Sequence, residues 1–174
     1  MGSDKALLRV EGVPNAVRLA RLLTEVAEPL VEVGPGISGL PAVSEEPAQQ
    51  GPLVALCAGA AYLRAAGHLG PVLVLACDLV LLGPAALGLL ACWPGDVSVL
   101  PVVGGRPQPL VARWSSQDLA EADRLVGDGE RSMKALLGRP GTVLVDEGLW
   151  PAGVTARDFT DVDTPAELER LGLS

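Results

Sequence analysis

Residues 72–76, Val-Leu-Val-Leu-Ala, constrain this chain more than any other feature. The run is short, unbroken and rich in valine and leucine. A strand covered on one face alternates apolar with polar residues. A run without polar positions reads as a strand covered on both faces, typically a central parallel strand. Cys77 and Asp78 follow it directly. Helix-like stretches lie on either side: residues 52–66 are small and apolar and are stopped by Gly67, and residues 84–92 read as the next helix. The alternation continues along the chain. Val13, Val17, Ala20, Leu23 and Val26 recur at helical spacing around Pro14, and residues 30–33 and 41–44 read as short strands. Residues 97–103 and 107–114 read as two strands joined through Gly104-Gly105, a hairpin signal. A helix over 116–126 with Ser115 or Ser116 as cap, a short helix over 132–137, a strand over 142–145 and a last helix over 164–171 complete the pattern. The expectation is an α/β sandwich with a mostly parallel sheet and one antiparallel hairpin, in a single domain spanning residues 1–174.

Composition narrows the function classes. Apolar residues make up 49% and charged residues 20% of 174, which excludes wholesale disorder. The net charge of −8 argues against nucleic-acid or anionic-membrane partners, which need basic surface, but leaves room for a small anionic ligand in a local pocket. The apolar runs are too short to cross a bilayer, and Met-Gly-Ser-Asp-Lys carries no apolar signal core, so a cytoplasmic location is expected. Gly2 suggests myristoylation, but Ala6 occupies the Ser/Thr position of that motif. Cys57, Cys77 and Cys92 form no CxxC pair and read as buried, inert thiols of a reducing compartment. His68 is the only histidine and sits in a post-helix loop, which leaves little for Ser-His or Cys-His catalysis or for zinc.

Asp78 is the most informative position. It lies at the carboxyl end of the apolar strand, where ligands of open α/β sheets bind. A carboxylate there can hold Mg²⁺, which takes oxygen ligands and bridges to substrate phosphates; a loop or capping aspartate is the plainer alternative. Asp161 and Asp163 alternate in Thr-Asp-Val-Asp-Thr-Pro-Ala-Glu, so an extended segment places both on one side and offers a second carboxylate. The same stretch is an ordinary helix start, with Asp163 or Thr164 as cap and Glu167 in the first turn. Lys5 is one of only two lysines, with Lys134, and can bind phosphate as a point charge. Gly51-Pro52-Leu53 opens a helix whose free N–H groups suit an anion or a nucleobase edge, or simply form a turn. Glu45-Glu46 reads as a solvated pair. Arg131 can reach a phosphate from a glycine-rich loop or stay on the surface. Arg106, in Gly-Gly-Arg-Pro-Gln-Pro, belongs first to a hairpin turn and second to a substrate loop.

Met1-Gly2-Ser3-Asp4-Lys5-Ala6-Leu7-Leu8 resembles the tail of the nucleotidyltransferase signature Leu-Ala-Gly-Gly-x-x-x-Arg-Met-Gly-x-Asp-Lys-x-Leu-Leu. Gly51-Pro52-Leu53, Cys77-Asp78, Gln108-Pro109-Leu110, Gly129-Glu130-Arg131-Ser132 and Asp163-Thr164-Pro165-Ala166-Glu167-Leu168 follow in family order. Each piece alone is weak; their order along the whole chain is specific. The chain is most similar to the molybdenum cofactor guanylyltransferase group, the MobA-like proteins. The resemblance implies a Rossmann-like nucleotidyltransferase fold. It also implies transfer of GMP from Mg-GTP to the terminal phosphate of molybdopterin, with release of pyrophosphate. It assigns Lys5 to phosphate or the transition state, Asp78 to Mg²⁺, and Gly51, Pro52 and Leu53 to the guanine pocket. It sets Arg106, Arg131, Asp161 and Asp163 on the pterin side. Transient contact with cofactor-synthesis or acceptor enzymes is implied as well.

The sequence departs from the family at its start. Met1 coincides with the internal methionine of the signature, and the first strand, the Leu-Ala-Gly-Gly loop and the arginine before Met-Gly are not present. The expectation is a misplaced start or a truncation; a non-catalytic remnant would in addition expose apolar sheet edges and bind no metal-nucleotide. Asp161 and Asp163 stand where the guanylyl group often has asparagines, closer to cytidylyltransferases. CTP is therefore the alternative nucleotide and another small phosphorylated molecule the alternative acceptor. The rival of another class is a binding protein without turnover.

Overall fold

The computed structural model describes residues 8–45, 50–162 and 164–173. Lys5, Glu46 and Asp163 lie outside them. The described residues begin with a hairpin that the sequence reading missed: β1 (Arg9–Val10) and β2 (Val13–Pro14) pair antiparallel. Glu11 and Gly12 between them both take positive φ, 51° and 77°, which is the backbone a two-residue hairpin loop demands. Pro14 then leads into α1 (Asn15–Thr24), which buries Asn15, Ala16, Leu19 and Ala20 on one face. β3 (Glu32–Val33) and β4 (Ala42–Val43) form a separate parallel pair. α2 (Pro52–Ala65) buries Leu53, Leu56, Gly59, Ala60 and Leu63. A Cβ at Gly59 would stand 3.0 Å from Val33 Cγ2, so glycine is what lets α2 lie this close to β3.

β5 (Val72–Leu75), β6 (Val99–Val103), β7 (Arg106–Pro107), β8 (Val111–Trp114) and β9 (Val143–Asp146) form the main sheet, with α3 (Pro84–Ala91) following β5 and α4 (Ser116–Gly127) following β8. Pro84 opens α3, whose buried residues are Ala86, Leu87 and Leu90. Ser115 caps α4 by accepting from the Asp118 N–H, as expected. Single 3₁₀ turns cover Met133–Leu136, Glu147–Leu149 and Ala156–Phe159. α5 (Pro165–Arg170) starts in a capping box between Thr164 and Glu167, so Thr164 fills the capping role.

Two expectations about the sheet need correction. Its strand order is β5-β8-β6-β7, with β9 also on β6. The pairings β5–β8, β8–β6 and β6–β7 are antiparallel, and only β6–β9 is parallel. The sheet is therefore mixed rather than mostly parallel. The cause is the glycine turn at 104–105: the chain returns along β6 as β7, and β8, which follows it, pairs with both β6 and β5. For the same reason β5 is an edge strand of this sheet among the described residues, not a central one.

The free side of β5 faces a cavity of about 1030 Å³ that separates it from β3. Val31 and Val33 line one side and residues 72–76 the other; Leu19 and Leu23 of α1 and Leu56 and Leu63 of α2 complete it. This is why Leu73, Val74 and Leu75 are only half-buried although the run holds no polar residue. Elsewhere the core is closed. Trp114 is fully buried between α2 and α4 and donates its indole N–H to the Pro109 carbonyl at 3.1 Å. A second cluster packs α3 on β6, β8 and β9, and a third joins Leu8 and Val10 to Val80, Val162 and Leu168.

Candidate active site at the carboxyl end of β5

β5 ends at Leu75, and residues 76–83 lead from it to the start of α3 at Pro84. Asp78 sits in this loop, half-buried, on the wall of the large cavity. Its peptide carbonyl accepts from the Val162 N–H at 3.0 Å, and Leu79 forms an antiparallel bridge with Asp161. The structure thus brings the 161–162 segment, distant in sequence, against the Asp78 loop. The bridge sets Asp161 opposite Leu79, so the two carboxylates occupy adjacent rather than facing register positions; Asp161 is exposed. No group of three His, Cys, Asp or Glu side chains that could hold a metal exists among the described residues. A Mg²⁺ site here would combine the hard oxygen of Asp78 with oxygens of the nucleotide phosphates, which is the usual donor set for that ion.

Two side chains that the sequence reading left unassigned fix the loop. Asn15 is fully buried, and its amide donates to the Cys77 carbonyl at 2.8 Å. Arg18, one turn further along α1, donates Nε–H to Asn15 Oδ1 at 2.8 Å, and its two terminal nitrogens donate to the Leu79 and Leu82 carbonyls at 2.6 and 2.9 Å. Burial holds the Arg18 pKa below the ordinary arginine value. The available sequence signal was faint: an asparagine at the first helical position and an arginine three residues on.

The helix-start residues form a second group. Gly51 takes φ 104°, and a Cβ there would lie 2.9 Å from the Arg131 carbonyl oxygen. That same oxygen accepts the Leu53 N–H at 3.2 Å. The structure therefore joins Gly51, Pro52 and Leu53 to Arg131, but through the Arg131 backbone. One of the N–H groups expected to meet an anion is already occupied. The Arg131 guanidinium turns back onto the Val126 and Glu130 carbonyls at 3.1 and 2.8 Å. Pro52 lines the same cavity as Cys77 and Asp78, so the cavity connects the two groups. Arg106 stands apart and exposed on the hairpin turn, where its carbonyl accepts from Gln108 Nε2 at 3.0 Å.

The remaining candidates have structural duties or none. Glu45 also borders the cavity and accepts the Gln50 N–H at 2.6 Å. His68 Nε2 lies 3.0 Å from the Pro71 carbonyl oxygen, within its own loop. Cys57 behaves as an inert thiol: burial first, then a hydrogen bond and charge from Asp123, push its pKa up to about 12 against the opposing Arg64. Cys92, expected to be buried, is exposed, because it falls on the residue just after α3 and beyond that helix's packed face.

The profile of the MobA-like NTP transferase domain matches residues 1–143. A protein of Opitutus terrae described as a probable molybdenum cofactor guanylyltransferase is 36% identical over 142 residues, covering 77% of this chain and 69% of that protein. The crystal structure of molybdopterin-guanine dinucleotide biosynthesis protein A from Archaeoglobus fulgidus superposes with a TM-score of 0.69 at 20% identity, covering 97% of this chain and 89% of the other. The 2-C-methyl-D-erythritol 4-phosphate cytidylyltransferase of Thermus thermophilus superposes with a TM-score of 0.62 at 18% identity, covering 96% and 91%. These two likenesses show the α/β nucleotidyltransferase fold. With the profile over most of its length and a relative at this identity, the chain belongs to the MobA-like NTP transferase family.

Proposed function

We propose that this protein transfers GMP from GTP to the terminal phosphate of a molybdopterin-type acceptor, with release of pyrophosphate, in the cytoplasm. The observation that carries this reading is Asp78, held at the carboxyl end of β5 on the wall of a cavity that also reaches the start of α2. That position suits a metal-bound nucleotide in this fold class. The described relative from Opitutus terrae supports guanosine as the base. Asp78 has the chemistry to hold Mg²⁺, and a bound Mg²⁺ would neutralise phosphate charge. We assign Lys5 to the nucleotide phosphates on the family signature, and Gly51, Pro52 and Leu53 to the base pocket. Arg106, Arg131, Asp161 and Asp163 belong to the acceptor side. An acceptor phosphate oxygen attacks the α-phosphorus of the nucleotide, and pyrophosphate departs in line. The protein contributes mainly position and charge neutralisation.

The test is a competition assay. The protein is incubated with molybdopterin, Mg²⁺ and equal concentrations of GTP, CTP and UTP, and the products are separated by mass. The guanine dinucleotide should predominate. A cytosine dinucleotide as the main product would move the enzyme to the cytidylyl alternative, and no dinucleotide would overturn the reading.

A further inference from the structure

Three polar side chains reach the loop after β5 from distant parts of the chain: buried Asn15 and Asp158, and half-buried Arg18. Asp118 satisfies Ser98 and Arg139 beside the α4 cap, Arg113 ties down the Trp93 and Gly95 carbonyls, and Asp158 caps its own 3₁₀ turn and accepts the Gly83 N–H at the far end of that loop. Asn15 and Arg18 differ in their target: from the start of α1 they meet the carbonyls on either side of Asp78, more than sixty residues away in sequence.

We propose that Asn15 and Arg18 are positioning residues, a clamp that fixes the backbone on both sides of Asp78 and so presents its carboxylate in one orientation. The inference rests on the assignment of Asp78 to the reaction. Three carbonyls of the loop, those of Cys77, Leu79 and Leu82, accept from this pair. The intervening Asp78 carbonyl is held by Val162. Every backbone acceptor from 77 to 79 is thereby taken, and the side chain between them inherits the restraint. The same Asn15 also donates its backbone N–H to the Leu8 carbonyl at 2.7 Å, which ties the first described residue to the same unit.

A guanidinium is a costly way to satisfy carbonyls. Among the described residues Arg18 meets only neutral acceptors, and partly desolvating such a cation forgoes the return of an ion pair. The planar fork of arginine, however, spans two carbonyls that a lysine ammonium cannot hold in fixed geometry. Rigid support of a reacting side chain is repaid in rate, because about 1 Å of misplacement can cost on the order of 10²-fold.

The test compares wild type, Arg18→Ala and Arg18→Lys by amide hydrogen exchange and by steady-state transfer from Mg-GTP. In Arg18→Ala the amides of residues 78–82 should exchange at least about tenfold faster while those of β6 and β8 keep their protection. Its kcat should fall by roughly 10–100-fold, with KM for GTP changed by less than about threefold. Arg18→Lys, which keeps the charge but can reach only one of the two carbonyls in fixed geometry, should give exchange at residues 78–82 and a kcat between those of the other two proteins. Unchanged exchange at 78–82 would overturn the clamp. So would a loosened loop with undiminished kcat. If wild type itself transfers nothing, the proposed function fails, and the exchange comparison alone then decides the clamp.

Discussion

Asp78→Ala should lower transfer by about 10²–10³-fold or more, as expected when charge stabilisation at the reacting phosphate is lost. The melting temperature should barely move, because the carboxylate is only half-buried and the core lies elsewhere. Retained turnover would remove Asp78 from the chemistry. Thiol reactivity checks the burial account at the same scale. Cys57, with its pKa near 12, should stay unmodified by a maleimide at pH 7.5 while exposed Cys92 is labelled, as read by peptide mass mapping. Sequence reasoning placed Asp78 just past a strand because an all-apolar run precedes it. It missed the exposure of Cys92, since thiol identity says nothing about which side of a helix end a residue meets. It also missed Asn15 and Arg18, whose partners are carbonyls in another part of the chain. Backbone acceptors carry no residue-type signal.

Gly51 and Glu32 carry the predictions that belong to single elements. Gly51→Ala would force a methyl group to within 2.9 Å of the Arg131 carbonyl at a φ of 104°. It should destabilise the protein by about 1–3 kcal/mol, measured by urea unfolding. Wild-type stability in that variant would contradict the close contact between the start of α2 and the 129–132 loop. Glu32 accepts the N–H groups of Gly36, Ile37 and Ser38 at 2.8, 3.0 and 2.7 Å. Burial alone would raise its carboxyl, but the hydrogen bonds from Ser38, Ile37 and Gly36 outweigh that and hold it below the usual value. With the folded pKa depressed, this contribution is complete above the unfolded pKa of about 4.3 and is lost as pH falls through the lower folded value. Amide exchange at residues 36–38, corrected for its intrinsic pH dependence, should therefore accelerate only below about pH 4. Glu32→Gln should remove that step. The helices were legible because proline, glycine and serine mark their ends, as at Pro52, Pro84 and Ser115. The β1–β2 hairpin was not, because each strand is two residues long and offers no period to read.

On the scale of the whole molecule, the α/β class was readable and the sheet direction was not. An apolar run states that a strand is covered on both faces but not which way its neighbours point. Here β8 pairs β5 antiparallel through the Ala76 N–H to the Leu110 carbonyl. Alternation along the strand then turns the Leu73 and Leu75 amides toward the cavity and those of Val72 and Val74 toward β8. Leu73 and Leu75 should exchange about an order of magnitude faster than Val72 and Val74, and the cavity should bind a hydrophobic dye. Equal protection across β5 would mean that the edge is covered in solution. No described helix is long and apolar enough to cross a membrane.

The central claim is that this fold carries an Asp78-dependent nucleotidyltransferase. Its most direct test is pyrophosphate release from Mg-GTP in the presence of molybdopterin, followed for wild type and Asp78→Ala side by side. The account predicts steady acceptor-dependent release by wild type and loss of that release in the variant, with both proteins equally folded by circular dichroism. Equal release by the two proteins, or none by wild type, would contradict it.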